Sequence, residues 1–265
     1  MPPNSTQDHS RIWDGAGPIL SNIHIGGAQA AGMTHANVTR DYTDVVAPAQ
    51  LQAYEAGEKA LNQCFREHGV KYTWKAWAHV TGNTYSYSYV SDPVTWADFD
   101  EMRQEFHACE SVYMNSVNPH LLTETSSFMT LAPGMSNMPK GVDAGDHLIK
   151  VVTFTLKGGH ASHEAFKNSV KMVYAAFAKT HRPDYSMTFE VNDGRSGAPD
   201  FILVIPHKDW ADFGRKINPP LWTMMAKVYG ADKAQGIRKA LNAAIASSSS
   251  HVDRYDADLS YTAGH

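Results

Sequence analysis

The sequence predicts an α+β fold in which one β-α-β-β-α-β module is written twice and pairs with itself as a closed, pseudo-symmetric barrel with its helices outside. Three observations carry this. Trp96, Ala97, Asp98 and Phe99 recur as Trp210, Ala211, Asp212 and Phe213, each time just after an apolar run that reads as a strand. Flanking landmarks keep nearly the same spacing: Val46 answers Leu156, Tyr54 answers Phe166, and Tyr72 answers Tyr185. Gly134, Met135 and Ser136 resemble Asp258, Leu259 and Ser260, displaced by an insertion of about ten residues in the second copy. Finally, period-two and helical patterns follow one another in the same order in both copies. Two copies are too few for a stacked solenoid, which leaves a closed pair.

Residues 1–35 are rich in Pro, Gly, Ser, Asn and Gln without a sustained period and read as an extended arm, pinned by Trp13 and the run 19–25. The first copy, 36–139, reads strand 38–46, helix 48–68, strand 72–80, strand 84–90, helix 95–114 and strand 126–132. In the first helix Leu51, Tyr54, Leu61, Cys64 and Phe65 recur at helical steps, with Pro48 suited to the first turn, Gly69 to the stop and Glu58 at the margin of the stripe. Tyr85, Tyr87 and Tyr89 alternate with Ser86, Ser88 and Val90 after a Gly82–Asn83 turn, and period two means strand.

The second copy, 140–265, reads strand 148–156, helix 162–181, strands 185–192 and 200–206, and a helical region from Asp209. Asn218, Pro219 and Pro220 break that region, because proline removes a helix hydrogen bond. A restart at Leu221, a helix over 232–247 and a strand over 252–261 complete the copy. Asp193, Gly194 and Arg195 have the chemistry of its hairpin turn, and 133–145 reads as the linker between copies.

The β-α-β-β-α-β order is the ferredoxin-like split unit. With the repeated tetrapeptide and the run Asp258, Leu259, Ser260, Tyr261, the chain resembles the dimeric α+β barrel superfamily in its fused, tandem-duplicated form over residues 36–262. The resemblance implies NIPSNAP-like or stress-responsive proteins, cofactor-independent monooxygenases, or haem-binding dismutases and peroxidases. None of their catalytic signatures maps residue by residue onto this sequence.

Composition excludes several functions. With 23 basic and 27 acidic residues the net charge is −4 and there is no basic stripe, so nucleic acid is not an expected partner. No apolar run reaches the roughly 20 residues of a membrane span, and the N-terminus has no secretory pattern, so the cytoplasm is expected, with a mature exported form as the alternative. The two cysteines, Cys64 and Cys109, exclude a disulfide framework; both fall on helices of the first copy, where a single bridge and two buried thiols are both open. A duplication within one chain implies a monomer or loose homodimer.

For chemistry, the strand positions facing the barrel interior are the best candidates. If Tyr85, Tyr87 and Tyr89 point inward, beside Trp74 or Trp77 and His79, they line a cavity for a small apolar or aromatic molecule; otherwise the rings fill the core between sheet and helices or face solvent at a partner interface. That makes a small-molecule-binding barrel the leading function. An oxygenase or haem enzyme, and a stress-related protein with a filled barrel, are the alternatives. No cofactor is expected, haem being the alternative. The 14 histidines include one pair at helical spacing, His160 and His163, a weak metal motif without a third ligand. His107, His120 and Glu124 offer an imaginable acid/base group, equally explained by the negative helix end. Residues 218–222 are a candidate lid. Ser247–Ser250 with His251 lack the G-x-S-x-G turn and read as a helix end entering a strand. In each tetrapeptide, Trp and Phe are expected to share the helix face toward the sheet, while Asp serves the positive helix end.

Overall fold

The computed structural model describes residues 36–140 and 147–264. The expected N-terminal arm with its Trp13 anchor, and residues 141–145 of the expected linker, lie outside the described residues. In chain order the elements are β1 (Val38–Val46), α1 (Leu51–His68), β2 (Trp74–His79), β3 (Ser86–Ser91), α2 (Asp98–His107), α3 (Glu110–Val112) and β4 (Leu121–Leu131). There follow β5 (Leu148–Leu156), α4 (His160–Lys179), β6 (Met187–Asp193), β7 (Phe201–His207), α5 (Trp210–Phe213), α6 (Leu221–Tyr229), α7 (Ala231–Ala244) and β8 (Ile245–Tyr261). All eight strands pair antiparallel in one closed barrel, ordered β1-β3-β2-β8-β5-β7-β6-β4.

Most boundaries follow the sequence patterns, and the departures have local causes. α1 stops at Gly69, whose φ of 66° is a left-handed conformation that glycine adopts without a Cβ penalty. α2 is shorter than expected. After His107 the chain relaxes into α3, a π turn (Tyr113–Val117) and a 3-10 turn (Asn118–His120), the last holding Pro119, which cannot sit inside an α-helix. β8 begins at Ile245, well before the expected residue 252, and the serines there pair with β5, Thr155 facing Ser247 and Thr153 facing Ser249. A run of serines has no apolar alternation to betray a strand. The Asn218–Pro219 peptide is cis, and α6 restarts at Leu221 as expected.

The repeated tetrapeptide splits its roles differently from expectation. Trp96 and Trp210 are about half exposed, while Phe99 packs at the edge of the core and against Phe128 at 4.9 Å. The aspartates do serve the helix starts. Asp98 Oδ2 accepts from the Thr95 N–H at 2.7 Å, and Asp212 Oδ2 accepts from His207 Nδ1 at 3.2 Å and from the Lys208 N–H at 3.4 Å.

Helices cover the outside of the barrel. Under α1 and α2 the core gathers Tyr54, Leu61, Phe65, Trp74, Tyr87, Tyr89, Leu259 and Tyr261. Under α4, Phe166 stacks on Phe201 at 4.6 Å, and α4, α6 and α7 pack together through Val173, Met224, Met225 and Ile237. Two features fasten α1 to the segment after α2. Cys64 and Cys109 form a disulfide spanning 45 residues, a closure that restricts the unfolded chain by about 4 kcal/mol in the chain-entropy account. Gly57 meets the turn so closely that a Cβ there would lie 1.9 Å from the Ser116 carbonyl oxygen.

Helix propensity alone says that Gly→Ala stabilises by about 1 kcal/mol. At Gly57 the backbone clash dominates, so Gly57→Ala should destabilise by about 1–3 kcal/mol. Gly236→Ala, in α7 with nothing within 4 Å of its added Cβ, should stabilise. Thermal melts of the two variants should therefore shift in opposite directions.

Candidate functional site: the polar wall of the barrel interior

Side chains alternate across a strand, and residues paired across antiparallel strands share a face. The outer face is fixed by α1: Tyr54 donates from its hydroxyl to Asp44 Oδ2 at 2.7 Å, and its oxygen lies 2.7 Å from Tyr89 Oη. Asp44, Val46, Trp74, Ala76, Tyr87 and Tyr89 therefore face the helices. The other set on the same strands faces the barrel interior: Asp41 and Thr43 of β1, Ser86 and Ser88 of β3, and Trp77 and His79 of β2.

Across the β2–β8 seam the register continues this inner face, pairing Trp77 with Tyr255 and His79 with Asp253. His251 stands two residues before Asp253, on the same side of β8. These residues are in contact. The His79 and His251 rings stack at 4.5 Å and 19°, His251 Nε2 lies 3.2 Å from Asp253 Oδ2, and His79 Nε2 lies 3.9 Å from Asp253 Oδ1 and 2.9 Å from Ser88 Oγ. Ser88 Oγ in turn sits 3.2 Å from Thr43 Oγ1. Asp253 is 1% exposed, yet the His251 side chain keeps 22%, so solvent reaches the cluster. Burial, opposed by the Asp253 charge, holds His79 below the usual imidazole range. Burial first, and then the negative Asp253, push Asp41 up to about 7, against a hydrogen bond from Thr43.

The wall beyond is apolar. His251 pairs with Val151, Val151 with Val204 and Val204 with Met187; one step along, Thr153 pairs with Ile202 and Ile202 with Phe189. One side of the interior thus carries imidazoles, carboxylates and hydroxyls, and the other aliphatic and aromatic groups.

No family model and no curated protein matches the chain. Solved structures do. An anthrone oxidase-like protein aligns over 88% of this chain and 96% of its own, with 9% identity and a TM-score of 0.55. A candidate monooxygenase from Lactobacillus acidophilus covers 87% and 98% at 9% identity and a TM-score of 0.52. A mutant chlorite dismutase from Candidatus Nitrospira defluvii, in complex with cyanide, covers 85% and 93% at 8% identity and a TM-score of 0.50. The chain shares the α+β barrel fold of these proteins.

Within this barrel, the expected ligand residues part company. Trp77 and His79 lie on the inner face. Trp74, Tyr87 and Tyr89 lie on the outer one, where the tyrosine rings serve as packing and hydrogen-bonding surface for α1, and Tyr85 is exposed. His107 pairs with Glu110 at 2.8 Å and His120 with Gln50 at 3.0 Å, while Glu124 accepts from Tyr113 Oη at 2.8 Å, so these three do not converge. His163 lies against Phe201 and Glu190, and neither it nor His160 belongs to a group of potential metal ligands among the described residues. Cys64, His68 and Cys109 are close together, but both sulfurs are spent in the disulfide. Asp41 and Asp253 were not singled out in the sequence, Ser88 entered only as the far face of the tyrosine strand, and His251 only with the serine run; Asp253 lies within the strand expected over 252–261. The His79 and His251 rings, stacked at 4.5 Å, leave no gap for a porphyrin between them, and His163 packs against Phe201.

Glu58, marginal in the sequence pattern, is buried on the outer side with Asp44 and near Glu124. Burial, joined by mutual repulsion, raises Asp44 to about 8 and Glu58 well above the ordinary range, and burial also raises Glu124 against hydrogen bonding from Tyr113. Between about pH 4 and 8 the folded protein thus holds protons that the unfolded chain has released. The stability these groups contribute is full below pH 4 and is lost as pH rises through the folded values. The melting temperature should therefore fall over that range, and Asp44→Asn, which keeps an acceptor for Tyr54, should flatten the slope.

Proposed function

We propose that the protein binds a small, largely apolar or aromatic molecule in the barrel interior, its body against Val151, Val204, Ile202 and Phe189 and its polar group toward Ser88, His79 and His251. The observation that carries this reading is the meeting of the two unlike walls at the Val151–His251 pair. Binding sites of this kind combine a mainly apolar lining with a few convergent polar groups. The fold shared with an anthrone oxidase-like protein and a candidate monooxygenase is compatible with an aromatic ligand. A barrel filled by its own side chains is the competing reading.

The same reading takes 36–139 and 140–265 as two ferredoxin-like repeats, supported by the matching strand orders β4-β1-β3-β2 and β8-β5-β7-β6. Closure within one chain favours a monomer or loose homodimer, since no strand edge is left to pair. The disulfide favours an oxidising compartment.

Native mass spectrometry of the intact chain with a panel of hydroxylated aromatics tests the ligand. At least one compound should give a 1:1 adduct that Val204→Trp, which fills the interior, weakens by about tenfold or more. The absence of any adduct, or one indifferent to Val204→Trp, would reject the reading. Oxygen uptake with the adduct-forming compound would extend binding to catalysis.

A further inference from the structure

We propose that His79, His251 and Asp253 bind one divalent first-row transition-metal ion on the inner wall of the barrel. Two neutral imidazoles and one carboxylate are a donor set for such ions, and three protein ligands leave positions open for an exogenous molecule. Metal–ligand bonds of about 2.0–2.2 Å place neighbouring donor atoms roughly 3–3.5 Å apart. Here His251 Nε2 lies 3.2 Å from Asp253 Oδ2 and His79 Nε2 lies 3.9 Å from Asp253 Oδ1, and one donor atom from each of the three residues falls within 4.8 Å of the others. The two rings are stacked at 19°, so one must turn out of the stack for both in-plane lone pairs to meet a single ion.

A second observation points the same way. Asp253 is 1% exposed, and its Oδ1 has no hydrogen-bond partner among the described residues. A buried acceptor left unmet is unfavourable, the more so when it is charged. Filling that acceptor with protonated imidazoles would stack two cations at 4.5 Å. One cation between the carboxylate and two neutral rings satisfies all three donors at once.

The backbone holds the donors in place. His79 and Asp253 are register partners across the β2–β8 seam, and just beyond them Val80 and Thr81 N–H donate to the Val252 carbonyl at 2.8 and 3.2 Å, while Thr81 Oγ1 accepts from the Val252 N–H at 2.9 Å. Ser88 Oγ, 2.9 Å from His79 Nε2, stands beside the position where the ion would sit. Val151 of the apolar wall is the register partner of His251, so an ion held here would lie beside a molecule bound against that wall. Metal binding is read with the ion alone, however, and its failure would leave the organic-ligand reading standing, just as failure of that reading would leave the metal site.

The experiment uses the full chain, stripped with chelator and kept free of reductant so that Cys64 and Cys109 stay bonded. Co(II) is titrated and followed by visible d–d absorption, with Zn(II) binding measured by calorimetry. One ion per chain is expected, with His251→Ala and Asp253→Asn each weakening binding by at least about 100-fold, more than loss of an outer-shell partner. His160→Ala and His163→Ala should change nothing. No wild-type binding up to about 0.1 mM ion overturns the proposal, whatever the variants do. So does binding that survives His251→Ala, or that disappears with His160 or His163. Should Asp253→Asn fail to fold, the wild-type titration and His251→Ala still decide.

Discussion

Closure of the hydrogen-bonded ring is the constraint on which the rest of the structure depends. Once every strand has a neighbour on both sides, each side chain must point either into the barrel or out toward the helices, and period two leaves no third choice. On β1 this sends Asp44 outward to Tyr54 and Asp41 inward toward Asp253, so two acidic residues three apart serve unrelated environments. A slip of one residue would exchange every such pair. The register bonds along β1–β3 and β2–β8 are therefore what sorts the chemistry of the site from the packing of the core.

Both faces carry more polarity than a minimal core needs. Outside, the Tyr54, Tyr89 and Asp44 hydroxyl–carboxylate chain lies under α1 with Glu58 buried beside it, and the helix is also fixed by a disulfide and by the close approach at Gly57. Buried carboxylates oppose folding when ionised. Covalent and steric fastening of the same helix offsets that penalty, which is a physical reason for both to occur at one place.

Much of the architecture was legible because periodicity reports burial. The Leu51 to Phe65 stripe, the Pro48 and Gly69 ends of α1, the Pro219–Pro220 break and the strand at Leu148–Leu156 all follow from local rules. The face of the sheet was not legible. Alternation tells that Tyr87 and Tyr89 share a side, yet only the partner above them, Tyr54, tells which side that is. The site was harder still. His79 was visible as an inner candidate, but His251 and Asp253 became its neighbours through a strand pairing nearly 180 residues distant in sequence. The serine run ahead of His251 also concealed the strand that carries them.

β8 is the longest strand, and it is shared: along one part it pairs with β5 and along another with β2. It acts as the clasp of the ring. During synthesis the chain leaves the ribosome N-terminus first, so β2 waits with an unmatched edge until β8 emerges. Throughout that interval the half-built sheet has an adhesive border, and His79 faces no imidazole or carboxylate from β8. The chemistry of this part of the interior is thus acquired only when β8 pairs, in the same step that removes the exposed edge of β2.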